Sequence, residues 1–113
     1  MEDKIICNFY FKRTISGNLT GEYTNRDNNS SFTETAIPKD KTETFEGKYT
    51  TSWFEGNEED PHINDLAIKT KKDKFILTWG PDENDEPIFE GEGFIVDNIL
   101  VGFYTEPDNK KNK

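Results

Sequence analysis

The chain has 113 residues, 33% of them charged and 31% hydrophobic, and a formal net charge of −9. That length suits one domain, and so acidic a chain repels nucleic acid and anionic membrane surfaces, whose affinity for proteins rests on Lys and Arg. Aromatic residues make up 13%, enough large rings to build a thin core in a chain whose low hydrophobicity otherwise resembles that of disordered segments.

Taken in chain order, the apolar residues alternate with period two, and no segment carries a helical stripe. Ile5, Cys7, Phe9 and Phe11 share one face of a first strand. Residues 15–18 read as a turn, and Leu19, Gly21 and Tyr23 form one face of a second strand. The tract NRDNNSS (25–31) reads as a polar loop. A weak strand over 31–37 stops at Pro38, and PKDK makes the next turn. In FEGKYTTSWFEG (45–56), Phe45, Gly47, Tyr49, Thr51 and Trp53 share a face, with Glu46, Lys48, Thr50 and Ser52 on the other; this is the pattern of a half-buried strand.

The remainder repeats the theme. Residues 56–62 form a loop, Leu66 and Ile68 a short strand, and KTKKDK (69–74) a charged turn. Phe75, Leu77 and Trp79 form one face of the next strand, and GPDENDEP (80–87) is an acidic loop. Phe89, Gly91, Gly93 and Ile95 share a face, VDN (96–98) is a tight connection, and ILVGFYT (99–105) is the last strand. Residues 1–106 form one domain, and 107–113 a polar tail.

Short strands joined by short polar turns predict an all-β fold, an antiparallel up-and-down meander that closes, or nearly closes, into an eight-stranded barrel. Closure removes exposed strand edges, which no helix is present to cover. Gly21, Gly47, Gly91 and Gly102 lie on inward faces. They leave room for a neighbouring ring and let the strands coil.

The stretch SGNLTGEYTN (16–25) resembles the G-x-Φ-[ST]-G-x-Y strand of the avidin family, and FILTW (75–79) is similar to an inner strand of that family that ends in a pocket tryptophan. The resemblance implies a calycin-type barrel in which Tyr23 donates a hydrogen bond to a ligand carbonyl and Trp79 walls the pocket. Its first strand, with Asn and Ser ligands, has no counterpart here. Asn25 replaces the usual Thr, and the closing strand lacks the pocket Asp and Trp. The resemblance therefore does not extend to biotin. The Gly-x-Trp signature of lipocalins is missing too.

Catalytic and metal chemistry find little footing. Cys7 and His62 are the single cysteine and histidine, which excludes an intrachain disulfide and a Cys/His zinc site. Cys7 falls on an apolar face and reads as an inert thiol; His62 falls in the acidic loop EEDPHIND. The carboxylates fall on solvent-facing positions or loops, not in the opposed, buried pairs that acid–base work needs. Residues 82–86 and Glu58, Glu59 and Asp60 carry oxygen ligands that suit calcium, but 82–86 lacks the glycine and distal Glu of an EF-hand loop. These segments read as solvated loops; no metal, cofactor or enzymatic activity is expected.

The N-terminus is too acidic and its apolar run too short for a signal peptide, so the expected location is the cytoplasm. Tyr23, Tyr49, Trp53, Trp79 and Tyr104 are the candidate ligand-binding residues, since all five face the barrel interior. A barrel of this size is either filled by its own side chains or holds one small ligand. The expected function is a non-enzymatic protein holding a small apolar or aromatic ligand. The alternative is an acidic interaction or inhibitor protein that docks on a basic partner surface.

Overall fold

Eight antiparallel strands follow one another around the barrel, each hydrogen-bonded to its neighbours in sequence, and the last pairs with the first. They are β1 (Ile5–Arg13), β2 (Leu19–Asn25), β3 (Asn28–Pro38), β4 (Gly47–Trp53), β5 (His62–Lys71), β6 (Lys74–Trp79), β7 (Phe89–Val96) and β8 (Ile99–Thr105). This computed structural model describes residues 5–25, 28–54, 59–81 and 86–105, without the side chains of residues 5–7, 25 and 28–30. It is an all-β, closed meander barrel with no helix among the described residues.

Two strands are longer than their apolar residues suggest, and closure explains both. β5 pairs with β4 over His62–Ile68 and with β6 over Leu66–Lys71. The two partners are staggered along it, as a tilted barrel requires, so the strand takes in His62 from the expected loop and Lys69–Lys71 from the expected turn. Likewise β3 serves β2 over Asn28–Ala36 and β4 over Glu34–Pro38. It starts at Asn28, inside a tract that reads as loop. Hydrophobic alternation marks only the part of a strand that faces the core; polar flanks are paired without leaving such a mark. The connection expected at 96–98 reduces to Asp97 and Asn98, both with positive φ, in the two-residue hairpin form that tolerates Asn and Asp there.

Gly91 leaves room for rings as expected, since a Cβ there would lie 3.2 Å from Trp79 and 3.4 Å from Phe9, but Gly21 and Gly102 do something different. A Cβ on Gly21 would lie 1.8 Å from the Tyr10 carbonyl oxygen, and one on Gly102 would lie 1.9 Å from that of Glu92. Neighbouring backbones thus approach within the space a side chain would occupy, β1 against β2 at Gly21 and β7 against β8 at Gly102. Gly47 opens β4 at φ +154°, and a methyl group there would lie 2.7 Å from Thr42 Cγ2. Phe45, expected in that strand, precedes it and still turns inward to be buried.

The core is one cluster of inward side chains: Phe9 and Phe11 from β1, Leu19 and Tyr23 from β2, Ala36 from β3, Tyr49 and Trp53 from β4, Leu66 and Ile68 from β5, Leu77 and Trp79 from β6, Leu100 and Tyr104 from β8, with Phe45 from the β3–β4 connection. Ile95, expected on the inner face of β7, is 40% exposed.

Candidate functional site

The interior differs along the barrel axis. Where β1–β2, β3–β4, β5–β6 and β7–β8 connect, Phe45 folds over the end and packs edge-on against Phe75, ring centroids 6.3 Å apart. The Tyr49 hydroxyl donates to the Phe45 carbonyl at 2.7 Å, and an Arg13 Nη donates to the Thr42 carbonyl at 2.6 Å. These bonds tie the β3–β4 connection down as a plug.

The other end holds a cavity of about 30 Å³ lined by Phe9, Tyr23, Glu34, Trp53, Trp79, Phe89 and Tyr104. It has room for one or two water-sized groups. Strand direction places these residues together: Tyr23, Trp53, Trp79 and Tyr104 lie near the ends of even-numbered strands, and Phe89 begins β7. The rings meet edge to face. Trp79 crosses Phe9 at 80°, Tyr104 crosses Phe89 at 80°, and Tyr23 crosses Tyr104 at 81°. This is the preferred mutual arrangement of aromatic quadrupoles.

Among the described residues, Glu34 is the one carboxylate lining this cavity, and it is 4% exposed. Its Oε2 accepts hydrogen bonds from the Thr51 hydroxyl and, at 2.8 Å, from Trp79 Nε1. Burial raises its pKa from the ordinary 4.5 to about 7, against the pull of those two donors, which favour the ionised form. The folded state therefore prefers the proton. The stability that follows is complete below about pH 4.5 and is lost as the pH rises through about 7.

Four of the five candidate residues, Tyr23, Trp53, Trp79 and Tyr104, border this cavity; Tyr49 sits at the plugged end instead. The Tyr23 hydroxyl donates to the Phe54 carbonyl at 3.3 Å and the Tyr104 hydroxyl to the Thr24 carbonyl at 2.6 Å. The donor role the avidin-like strand implies for Tyr23 is thus directed at the protein's own backbone. Phe9, Glu34 and Phe89 join the lining without having been expected there. Glu34 corrects the expectation that the carboxylates face solvent. Its signal lies in SFTETAI: Phe32, Glu34 and Ala36 fall on one face by strict alternation, so if Ala36 is inward, Glu34 must be as well.

His62 opens β5, exposed, and stacks on Trp53 with the rings 13° apart in orientation. The side chain of Cys7, residues 82–85 of the acidic loop and Glu58 lie outside the described residues. Glu59 and Asp60 are exposed, and no group of three potential metal ligands occurs among the described residues. A wider hollow of about 330 Å³, bordered by Lys39, Lys48, Asp65, Pro81 and Pro87 among others, is shallower in chemistry: its Lys39 is held by Asp65 at 2.8 Å. Comparison with known proteins gives no match to a family model, to a curated protein or to a solved structure.

Proposed function

We propose that this chain is a non-enzymatic binding protein that holds a small ligand with an apolar or aromatic body at one mouth of its barrel. The observation that carries this reading is the asymmetry of the interior: one end is plugged, while the other keeps a ring-lined cavity with a buried carboxylate at its wall. Aromatic walls with a few fixed polar groups are what small-molecule sites offer. The cavity accepts only a small head group, so the ligand's body lies among the rings at the mouth. We read the site as non-catalytic because its described lining offers one carboxyl group with no second acid or base opposed to it, and its tyrosine hydroxyls are held by backbone carbonyls.

Titration with a neutral aromatic probe, 2-phenylethanol, should shift tryptophan emission saturably. Trp79→Ala should abolish the shift while circular dichroism still reports a β-rich fold, at a stability cost of about 3–5 kcal/mol. If no aromatic probe shifts the emission of the parent, the rings merely fill the barrel, and the function belongs to the acidic outer surface.

A further inference from the structure

We propose that the ligand's head group is a primary ammonium, hydrogen-bonded to Glu34 and surrounded by the cavity's rings. The inference rests on the small-ligand reading above and names the ligand's chemistry.

Three observations point the same way. The first is the unequal use of the carboxylate. Oε2 of Glu34 takes both hydrogen bonds, from Thr51 and Trp79, while Oε1 accepts none from any described residue. No Lys or Arg among the described residues pairs with Glu34; the ion pairs there, Lys39–Asp65 and Lys74–Glu92, are on the outer surface. A buried carboxylate is costly without a counter-charge, and a ligand cation would supply one.

The second is the direction of the donors. Trp79 Nε1 and the Thr51 hydroxyl point to Glu34, and the Tyr23 and Tyr104 hydroxyls to backbone carbonyls. The lining therefore offers a ligand an acceptor oxygen and ring faces, which suit a cation. A ligand carboxylate would meet Glu34 as a like charge. A ligand carbonyl would find the donors of Thr51, Trp79, Tyr23 and Tyr104 already engaged.

The third is size. About 30 Å³ admits one or two water-sized groups. An –NH3⁺ on an unbranched carbon fits that space, whereas a trimethylammonium head is several such groups wide. The net charge of −9 adds a field that draws cations to the protein. Burial holds the Glu34 carboxyl protonated to about pH 7, so a bound ammonium, by favouring the ionised form, displaces that proton at lower pH.

The test compares three probes of one shape, 2-phenylethylamine, 2-phenylethanol and phenylacetate, by calorimetry and tryptophan emission at pH 8. The amine should bind at least tenfold more tightly than the alcohol, and phenylacetate more weakly than either. Glu34→Gln, whose amide oxygen can still accept from Trp79 and Thr51, should erase the amine's advantage. Equal affinity for amine and alcohol overturns the ammonium assignment and leaves the pocket standing. Failure of all three to bind overturns the pocket as well.

A second measurement needs no variant. At pH 6, calorimetry in two buffers of different ionisation enthalpy should show a proton released when the amine binds and none when the alcohol binds. The other titratable groups near Glu34 are Tyr23 on β2 and Tyr104 on β8, with His62 of β5 behind Trp53; the Cys7 side chain on β1 is outside the described residues. His62→Gln should retain the release. Amine binding without proton release, and with undiminished affinity in Glu34→Gln, overturns the assignment.

Discussion

Both ends of this barrel use inward tyrosines whose hydroxyls bond backbone carbonyls, yet they come out differently. At one end, Tyr49 is fully buried and its hydroxyl is used to hold Phe45 over the opening. At the other, Tyr23 and Tyr104 also send their hydroxyls to backbone carbonyls, but those carbonyls belong to the rim, at Phe54 and Thr24, and the rings there border a cavity. The decisive difference is what the β3–β4 connection contributes. It delivers a phenylalanine inward and is anchored by Arg13. The opposite end has instead a glutamate sunk between Thr51 and Trp79. An apolar plug is a stable filling, whereas a buried carboxylate keeps a demand for a partner. The side chain that each end receives, Phe45 over one and Glu34 in the other, thus separates a plugged end from an end that keeps a cavity.

The largest effect expected from probing this contrast is at the plug. Phe45→Ala should cost about 3–5 kcal/mol in chemical denaturation and leave probe affinity at the other end unchanged. A loss of probe binding in a folded Phe45→Ala protein would mean that the two ends are not independent.

At the cup, Glu34→Gln removes the pH-dependent preference for the proton. The rise of the Glu34 pKa from 4.5 to about 7 corresponds to roughly 3 kcal/mol. The parent loses that stability between about pH 4.5 and 7. Between about pH 4.5 and 8, the stability of Glu34→Gln relative to the parent should therefore rise by roughly that amount. A constant difference across that range would show that Glu34 is already ionised in the folded protein at low pH.

A smaller effect is expected at the wall the two ends share. Gly102→Ala places a methyl 1.9 Å from the Glu92 carbonyl oxygen, so β7 and β8 must part locally, at about 1–3 kcal/mol. Because Phe89 of β7 and Tyr104 of β8 line the cup, probe affinity measured by emission titration in the folded fraction should fall along with the stability measured by chemical denaturation.

Much of the fold could be read in the sequence, because the inside of a small barrel is recorded as alternation. Phe9, Tyr23, Tyr49, Trp53, Leu77, Trp79 and Tyr104 all point inward as their spacing predicts. What could not be read follows from physics that alternation does not record. The stagger between partners set the lengths of β3 and β5. Close backbone approach, rather than ring packing, explains Gly21 and Gly102. For the site, Tyr49 could not be separated from Tyr23, since both are inward tyrosines and only position along the axis distinguishes plug from cup. Glu34 escaped notice because a charge in a polar strand reads as a solvent-facing residue, although its neighbours Phe32 and Ala36 fix its face.

The most direct test of the account uses the two tryptophan indole N–H signals in a nitrogen-edited NMR spectrum, assigned with Trp53→Phe and Trp79→Phe. Adding 2-phenylethylamine should move the Trp79 signal saturably, since that N–H bonds the carboxylate proposed to hold the ammonium, and amide signals around Phe45 and Tyr49 should stay in place. A spectrum in which neither indole moves, or in which the plugged end responds while the cup does not, would contradict the assignment of the binding end.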